Sequence, residues 1–230
     1  LHFDHTGGLF GFLGMRYQSR FDTQPLTIYG PPGTKATVDA LLEAMKPGIA
    51  VAGSIRGAGG TGQITVVEIE DGAKFTVGAV TVTAAENTHY AQVAGAHAGD
   101  GHPVSLAYRF DAPGRSILFT GDTGPSDKVA ALCHGVDLLV SEIMDPVEAL
   151  TRLHQARPEL PQMALDFVGQ HFRKEHLSPD EVGLLAQRCG AGAVVLTHDA
   201  VDPEGVPAAR TAIAAHYKGR VTFARDLQVF

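Results

Sequence analysis

A layered α/β domain is the fold class that this chain predicts, and three observations predict it. Short β-branched segments with alternating polarity crowd the first half. Helical and strand patterns then alternate through the second half, an order that layered α/β folds show. With 230 residues, 44% of them hydrophobic, the chain can bury a sizeable core, so a single domain over residues 1–230 is expected.

The elements follow in order. Leu26-Thr-Ile-Tyr-Gly30 reads as a short strand that Pro31-Pro-Gly breaks. Thr34 can cap the next helix, in which Leu41, Leu42 and Met45 recur at helical spacing. Residues 52–63 are glycine-rich and read as a surface loop. Strands are expected at 64–70, 74–77 and 79–85, and two more, 104–110 and 115–120, meet across Ala112-Pro-Gly as a hairpin. A helix near 126–133 leads into a strand at 137–141, and helical stretches fill 145–172. Ser178-Pro-Asp-Glu181 marks a further helix start: a Ser cap, Pro in the first turn, and Glu three residues after Ser. A strand at 193–197, a helix near 206–217 and a strand near 220–224 complete the order.

Composition narrows the function classes. Mean hydropathy is +0.04, and no apolar run approaches the roughly 18 residues of a membrane span. Net charge is −7, from 18 basic and 25 acidic residues, without a dense Lys/Arg cluster. That balance argues against a nucleic-acid partner and for a small-molecule substrate. A homo-oligomer is left open. Cys133 and Cys189 form no CxxC pair, so they read as two small buried hydrophobes rather than a disulfide framework or thiolate site. The chain starts at Leu1, so an upstream segment of a few strands is expected. Any signal peptide would lie there, leaving cytoplasm and periplasm both open.

Chemistry concentrates in four places. Leu1-His-Phe-Asp-His-Thr-Gly-Gly sets two imidazoles and a carboxylate in one tight segment, His2, Asp4 and His5, with Gly7 and Gly8 allowing a sharp turn. Glu-Asn-Thr-His89-Tyr follows the middle strands. Ser116-Ile-Leu-Phe-Thr-Gly121-Asp122-Thr-Gly puts an Asp in a turn just after a strand. Ala193-Val-Val-Leu-Thr-His198 ends a late strand with a His.

Taken in this order, the four stretches resemble the metallo-β-lactamase superfamily, whose signature is His-x-His-x-Asp-His-x-Gly. Matched residue by residue, His2 is the second His of that signature, and Asp4 and His5 are its closing pair. The first His would stand directly before Leu1. The resemblance implies an αββα sandwich whose N-terminal strands lie upstream of this chain. It implies metal ligands on loops along one sheet edge: His2 and His89 toward one ion, Asp4, His5 and His198 toward a second, and Asp122 between them. His97 and His102 compete with His89, whose Asn-Thr-His context just after a strand selects it.

Each assignment has a plainer alternative. The first cluster could be a polar turn with an Asp cap, Asp122 an ordinary turn Asp, and His198 a buried His bonded to backbone. His176 precedes the helix starting at 178, beside a positive helix end that attracts anions and disfavours imidazolium. Many phosphodiesterase-like members of the superfamily that this chain resembles, including the tRNA 3′-processing endonucleases, carry a His in a similar place. His176 joins Asp4 as a catalytic candidate. A half-exposed loop His is the alternative for His176. Glu142 is expected to support the metal shell or a backbone turn. His134, His154, His171 and His216 receive no role. Gly57-Ala-Gly-Gly-Thr-Gly62 mimics a dinucleotide fingerprint but runs into a strand, and Gly30-Pro-Pro-Gly-Thr-Lys35 lacks the P-loop ending.

The nitrogen and oxygen ligands suit two divalent ions, zinc first, with iron or manganese also possible. The chemistry implied is hydrolysis of an ester-like bond by a metal-bridging hydroxide: a carboxyl ester, lactone, phosphoester or sulfoester. The alternatives are a nuclease resembling the tRNA 3′-endonucleases and a metal-deficient binding scaffold. Residues 146–175, rich in Leu, Pro, Met and Phe, read either as a helical lid with Met163 and Phe167 as lining or as a plain packed helix pair.

Overall fold

Three apolar runs, at residues 117–119, 138–140 and 193–196, lie side by side as parallel strands, and the second half of the chain is built on them. The computed structural model describes residues 1–19, 24–56, 63–91 and 103–230, with the backbone alone for 52–56. These residues divide into two compact units, Leu1–Glu70 and Asp71–Phe230.

The first unit begins with two helices, α1 (Phe3–Thr6) and α2 (Leu9–Gln18), and continues with strand β1 (Leu26–Gly30), helix α3 (Thr34–Arg56) and strand β2 (Ile64–Glu68). β1 and β2 pair in parallel, so the connection must cross over, and α3 is that crossover. Leu13, Tyr17 and Met45 are its buried centre, with Leu26, Ile28, Leu41, Leu42 and Ile64 packed around them. The helix expected from Thr34 through Met45 runs on past Pro47 to Arg56. Its N-terminal amides are met from β2: Glu68 Oε1 accepts from Gly33 N at 2.8 Å and Lys35 N at 2.9 Å. The Gly57–Gly62 segment lies outside the described residues.

The second unit holds β3 (Lys74–Val77), β4 (Val80–Glu86), β5 (Leu106–Ala112), β6 (Arg115–Phe119), α4 (Asp127–Leu132), β7 (Leu138–Met144), α5 (Pro146–Ala156), α6 (Gln162–Glu175), α7 (Pro179–Cys189), β8 (Ala193–Ala200), α8 (Val206–His216) and β9 (Arg220–Phe223). Its strands form one seven-stranded sheet in chain order, antiparallel from β3 to β6 and parallel from β6 to β9. The chain is therefore the mixed α/β fold that its sequence predicts.

Alternation along the strands decides which face each helix covers. Leu118, Leu139, Val194 and Leu196 turn toward Val129, Val182, Leu185 and Ile213 of the helices in the main core. Leu138, Ala193 and Val195 turn to the opposite face. Each fully buried aliphatic side chain contributes roughly 1.5–3 kcal/mol. The start of α7 has the expected chemistry: Ser178 Oγ accepts from Glu181 N, Glu181 Oε2 accepts from Ser178 N at 2.8 Å, and Pro179 opens the helix.

Two readings are corrected. Cys133 and Cys189 are buried as expected, but they are joined as a disulfide, with Cα atoms 5.2 Å apart. They end α4 and α7, which pack together although 56 residues separate the cysteines, and no local pattern shows that. Gly7 and Gly8 do not form a sharp turn; both adopt right-handed helical backbone between α1 and α2. Among the described residues no helix is long and apolar enough to cross a membrane.

Candidate metal centre

Thr120 anchors the turn that follows β6. Its amide donates to the Val140 carbonyl at 3.0 Å, its carbonyl accepts from Asn87 Nδ2 at 3.0 Å, and its hydroxyl accepts from Glu142 N at 3.2 Å. Gly121 then takes a left-handed backbone, φ +60°, where an added Cβ would also press on the Leu106 carbonyl. The chain leaves the sheet there and sets Asp122 in a buried position, 5% exposed. Thr123 closes the turn, its hydroxyl donating to the Gly124 carbonyl at 2.7 Å and accepting from Thr88 N at 3.3 Å.

Two imidazoles face one oxygen of Asp122. His198 Nε2 lies 3.3 Å from Asp122 Oδ2, and His89 Nε2 lies 3.9 Å from the same atom. His89, in the turn after β4, is buried and its Nδ1 is 3.0 Å from the Glu175 carbonyl. A carbonyl only accepts, so Nδ1 carries the hydrogen and Nε2 keeps its lone pair on the Asp122 side. Metal-binding histidines are oriented in this way. His198 has φ +48°, rare for a residue with a side chain. The β7–β8 register shifts here: Thr197 and His198 lie opposite the single residue Glu142. This bulge bends β8 and turns the imidazole toward the Asp122 turn.

His176 stands between α6 and α7, and its Nδ1 is 2.8 Å from Glu142 Oε2. The other Glu142 oxygen accepts from Thr123 N at 2.6 Å, so one buried carboxylate ties His176 to the Asp122 turn. Burial raises the Glu142 carboxyl above its ordinary range, against the pull of its His176 and Thr123 hydrogen bonds. For His176 burial works toward a lower pKa, but the hydrogen bond and charge of Glu142, helped by Asp122, outweigh it and the net shift is upward. The expected suppression of imidazolium by the helix end is thus reversed by a carboxylate. Glu142, inside β7, supports the turn, one of the two roles expected of it.

Within the second unit, then, His89, Asp122, His198 and His176 come together. Ligand atoms of His89, Asp122 and His176 all lie within 4.8 Å of one another. The donors are nitrogen and oxygen around a buried carboxylate, with one imidazole tautomer fixed from behind, and this set fits a divalent ion. His2, Asp4 and His5 belong to the first unit. His2 caps α1 with its carbonyl, accepting from His5 N and Thr6 N, and His5 Nε2 is 3.6 Å from Asp4 Oδ2. His97 and His102 lie outside the described residues.

The sequence reading missed His171 and Glu175. His171 Nδ1 is 2.8 Å from Glu175 Oε2, and its ring centroid is 5.9 Å from that of His89 and 5.4 Å from that of His176. An i, i+4 His–Glu pair on a helix was the available signal. Met163 and Phe167 of the same helix are exposed, at 80% and 75%.

A mixed α/β sheet that gathers His and Asp side chains at one edge defines a class of candidate metal-site folds, and comparison with known proteins gives the family. The chain belongs to the metallo-β-lactamase superfamily: the family model described as a beta-lactamase superfamily domain matches residues 1–198. Among curated relatives, a ribonuclease Z of Mycobacterium bovis (strain BCG / Pasteur 1173P2) is 28% identical over 234 residues, covering 99% of this chain and 75% of the relative. Among solved structures, the metallo-beta-lactamase fold protein YhfI from Bacillus subtilis aligns with a TM-score of 0.61 at 17% identity, covering 98% of this chain and 71% of that one. Human tRNase Z, short form, aligns with a TM-score of 0.53 at 19% identity, covering 96% and 72%. The two structural likenesses bear on the fold alone.

These relatives overturn one expectation. Charge balance argued against a nucleic-acid partner, yet the chain is similar along its length to proteins named for acting on RNA. The physical reason is that a net charge of −7 sums the whole surface, whereas binding depends on local charge. Arg173 and Lys174, both exposed, close α6 right beside the centre.

Proposed function

We propose that this chain is a metal-dependent phosphodiester hydrolase that cleaves RNA. The observation that carries this reading is the end-to-end likeness to ribonuclease Z, 28% identity over 99% of the chain. It favours the nuclease over the small-ester hydrolase that the sequence put first. A bound divalent ion, zinc by the ligand chemistry, would polarise a phosphoryl oxygen and make a nearby water acidic.

The protein's own groups support the reading in two ways. Asp122, His89 and His198 would hold the ion, with His2, Asp4 and His5 entering from the motif alone. His176 would hand a proton to the leaving ribose oxygen as the P–O bond breaks and water adds to phosphorus. A ribose hydroxyl is a poor leaving group, so a donor there is worth roughly 10²–10⁴ in rate. Glu142 would hold that imidazole with its Nε2 side toward the reaction.

The test is cleavage of a tRNA precursor bearing a 3′ trailer by zinc-loaded protein, beside p-nitrophenyl acetate and bis(p-nitrophenyl) phosphate. Metal-dependent scission of the RNA and of the diester is expected. Hydrolysis of the acetate alone would return the reading to a carboxyl esterase.

A further inference from the structure

Phe167, His171 and Lys174 recur at i, i+4 and i+7 on α6, the spacing that aligns side chains on one helix face. Phe167 is 75% exposed, Lys174 is exposed, and the His171 side chain is 34% exposed. The face runs into the centre. His171 lies against His89 and His176, and a Cβ on Gly124, two residues past Asp122, would collide with the Lys174 carbonyl.

Glu175 lies against this His from behind. Its side chain is 4% exposed, and a buried carboxylate is costly unless it is paired. Its charged neighbour is His171 Nδ1, 2.8 Å from Oε2, a charge contact that lacks hydrogen-bond alignment. With Nδ1 turned to Glu175, Nε2 is the other polar atom of a side chain that is 34% exposed. The same residue's carbonyl orients His89, so one residue aligns a metal-ligand candidate and the imidazole beside it.

We propose that this face of α6 is where the RNA strand lies as it enters the centre. Phe167 stacks a base, His171 Nε2 bonds a phosphate or ribose oxygen next to the scissile bond, and Lys174 neutralises a phosphate. Glu175 is the positioning residue for His171. An exposed aromatic interleaved with cationic and hydrogen-bonding groups is the pattern that binds single-stranded nucleic acid. A protein partner would be served by continued apolar surface, which extends from Phe167 to Met163 away from the centre but is interrupted toward it by His171 and Lys174. The proposal rests on the RNA-cleaving reading above.

The test compares Phe167→Ala, His171→Ala, His171→Asn and Lys174→Ala with the unaltered protein. Zinc-loaded protein is assayed on the trailer-bearing RNA and on bis(p-nitrophenyl) phosphate, which is too small to reach along the helix. RNA binding is read separately by fluorescence anisotropy in EDTA, where turnover stops. For Phe167→Ala and His171→Ala, KM and the binding constant for RNA should rise about tenfold, the scale of one lost stacking contact. The loss on RNA should exceed any loss on the small diester by a similar factor. Lys174→Ala should flatten the salt dependence of binding by about one unit of slope.

His171→Asn separates contact from scaffolding. Its amide takes the place of Nδ1 beside Glu175 but offers nothing in place of Nε2, so it should be as impaired as His171→Ala. Recovery to unaltered values would make the pair structural and overturn the proposal. So would parallel losses on both substrates, or self-association of the protein abolished by Phe167→Ala, which would give the face to a second copy. If the unaltered protein cleaves the diester but neither binds nor cleaves RNA, the underlying reading fails and this one falls with it. Normal RNA handling by all four variants overturns this proposal alone.

Discussion

Glu142 lies between His176 and the backbone of Thr123, accepting a hydrogen bond from each at 2.8 and 2.6 Å. The proton-donor candidate and the turn that carries Asp122 therefore share one buried support. Shifting either should disturb the other.

His176→Ala should lower turnover on RNA by roughly 10²-fold or more while zinc content stays unchanged, as expected for a lost general acid. The loss should be far smaller on bis(p-nitrophenyl) phosphate, whose leaving group needs no proton. Glu142→Gln should reproduce part of that pattern and also loosen the turn. Equal losses on both substrates would speak against proton donation.

Asp122→Asn keeps the shape of the turn and removes the charge that two imidazoles face. Zinc bound per chain, measured by atomic emission, should fall, and hydrolysis should be lost almost entirely. A variant that keeps both its metal and its turnover would exclude Asp122 as a shared ligand.

Gly124→Ala tests the seat of α6. The added methyl would meet backbone, the Lys174 carbonyl, which cannot swing aside as a side chain can. Overpacking of this kind costs about 1–3 kcal/mol. The melting temperature should drop, and the variant should bind zinc more weakly because Glu175, the next residue, holds His89. Unchanged melting and metal affinity would show that the end of α6 gives way freely.

Asp137 offers a pH test away from the centre. Its carboxylate accepts from the Ser116 hydroxyl at 2.8 Å and the Ser116 amide at 2.7 Å, which together hold its pKa below the ordinary carboxylate value. A depressed folded-state pKa contributes stability above the unfolded value, about 3.9, and that contribution disappears as pH falls through the folded one. Asp137→Asn should therefore melt below the unaltered protein at pH 7, and the two curves should converge under acid conditions, below about pH 4. A gap that persists unchanged into acid would assign the effect to shape rather than charge.

What could be read from sequence was what depends on neighbours in the chain. The α7 start was legible because Ser178 and Glu181 cap each other across three residues. The meeting of His89, Asp122 and His198 was legible because the first two follow strands and the third lies late in one, all at the same sheet edge. The place of His171 was not, since it comes from α6 passing beside the turn after β4, a contact made across 82 residues. The disulfide was hidden for the same reason. The likeness to proteins named for acting on RNA was missed because summed charge carries no map of where charge sits.

The carbonyl of Glu175 that holds His89 has a consequence for the order in which the molecule matures. His89 emerges from the ribosome 86 residues before the group that fixes its tautomer. Until α6 has been synthesised and seated over Gly124, this imidazole can expose either nitrogen. Premature loading of a nascent chain would then meet a mis-set ligand. A single His89 tautomer would thus be fixed only when that helix closes, not when the histidine itself is made.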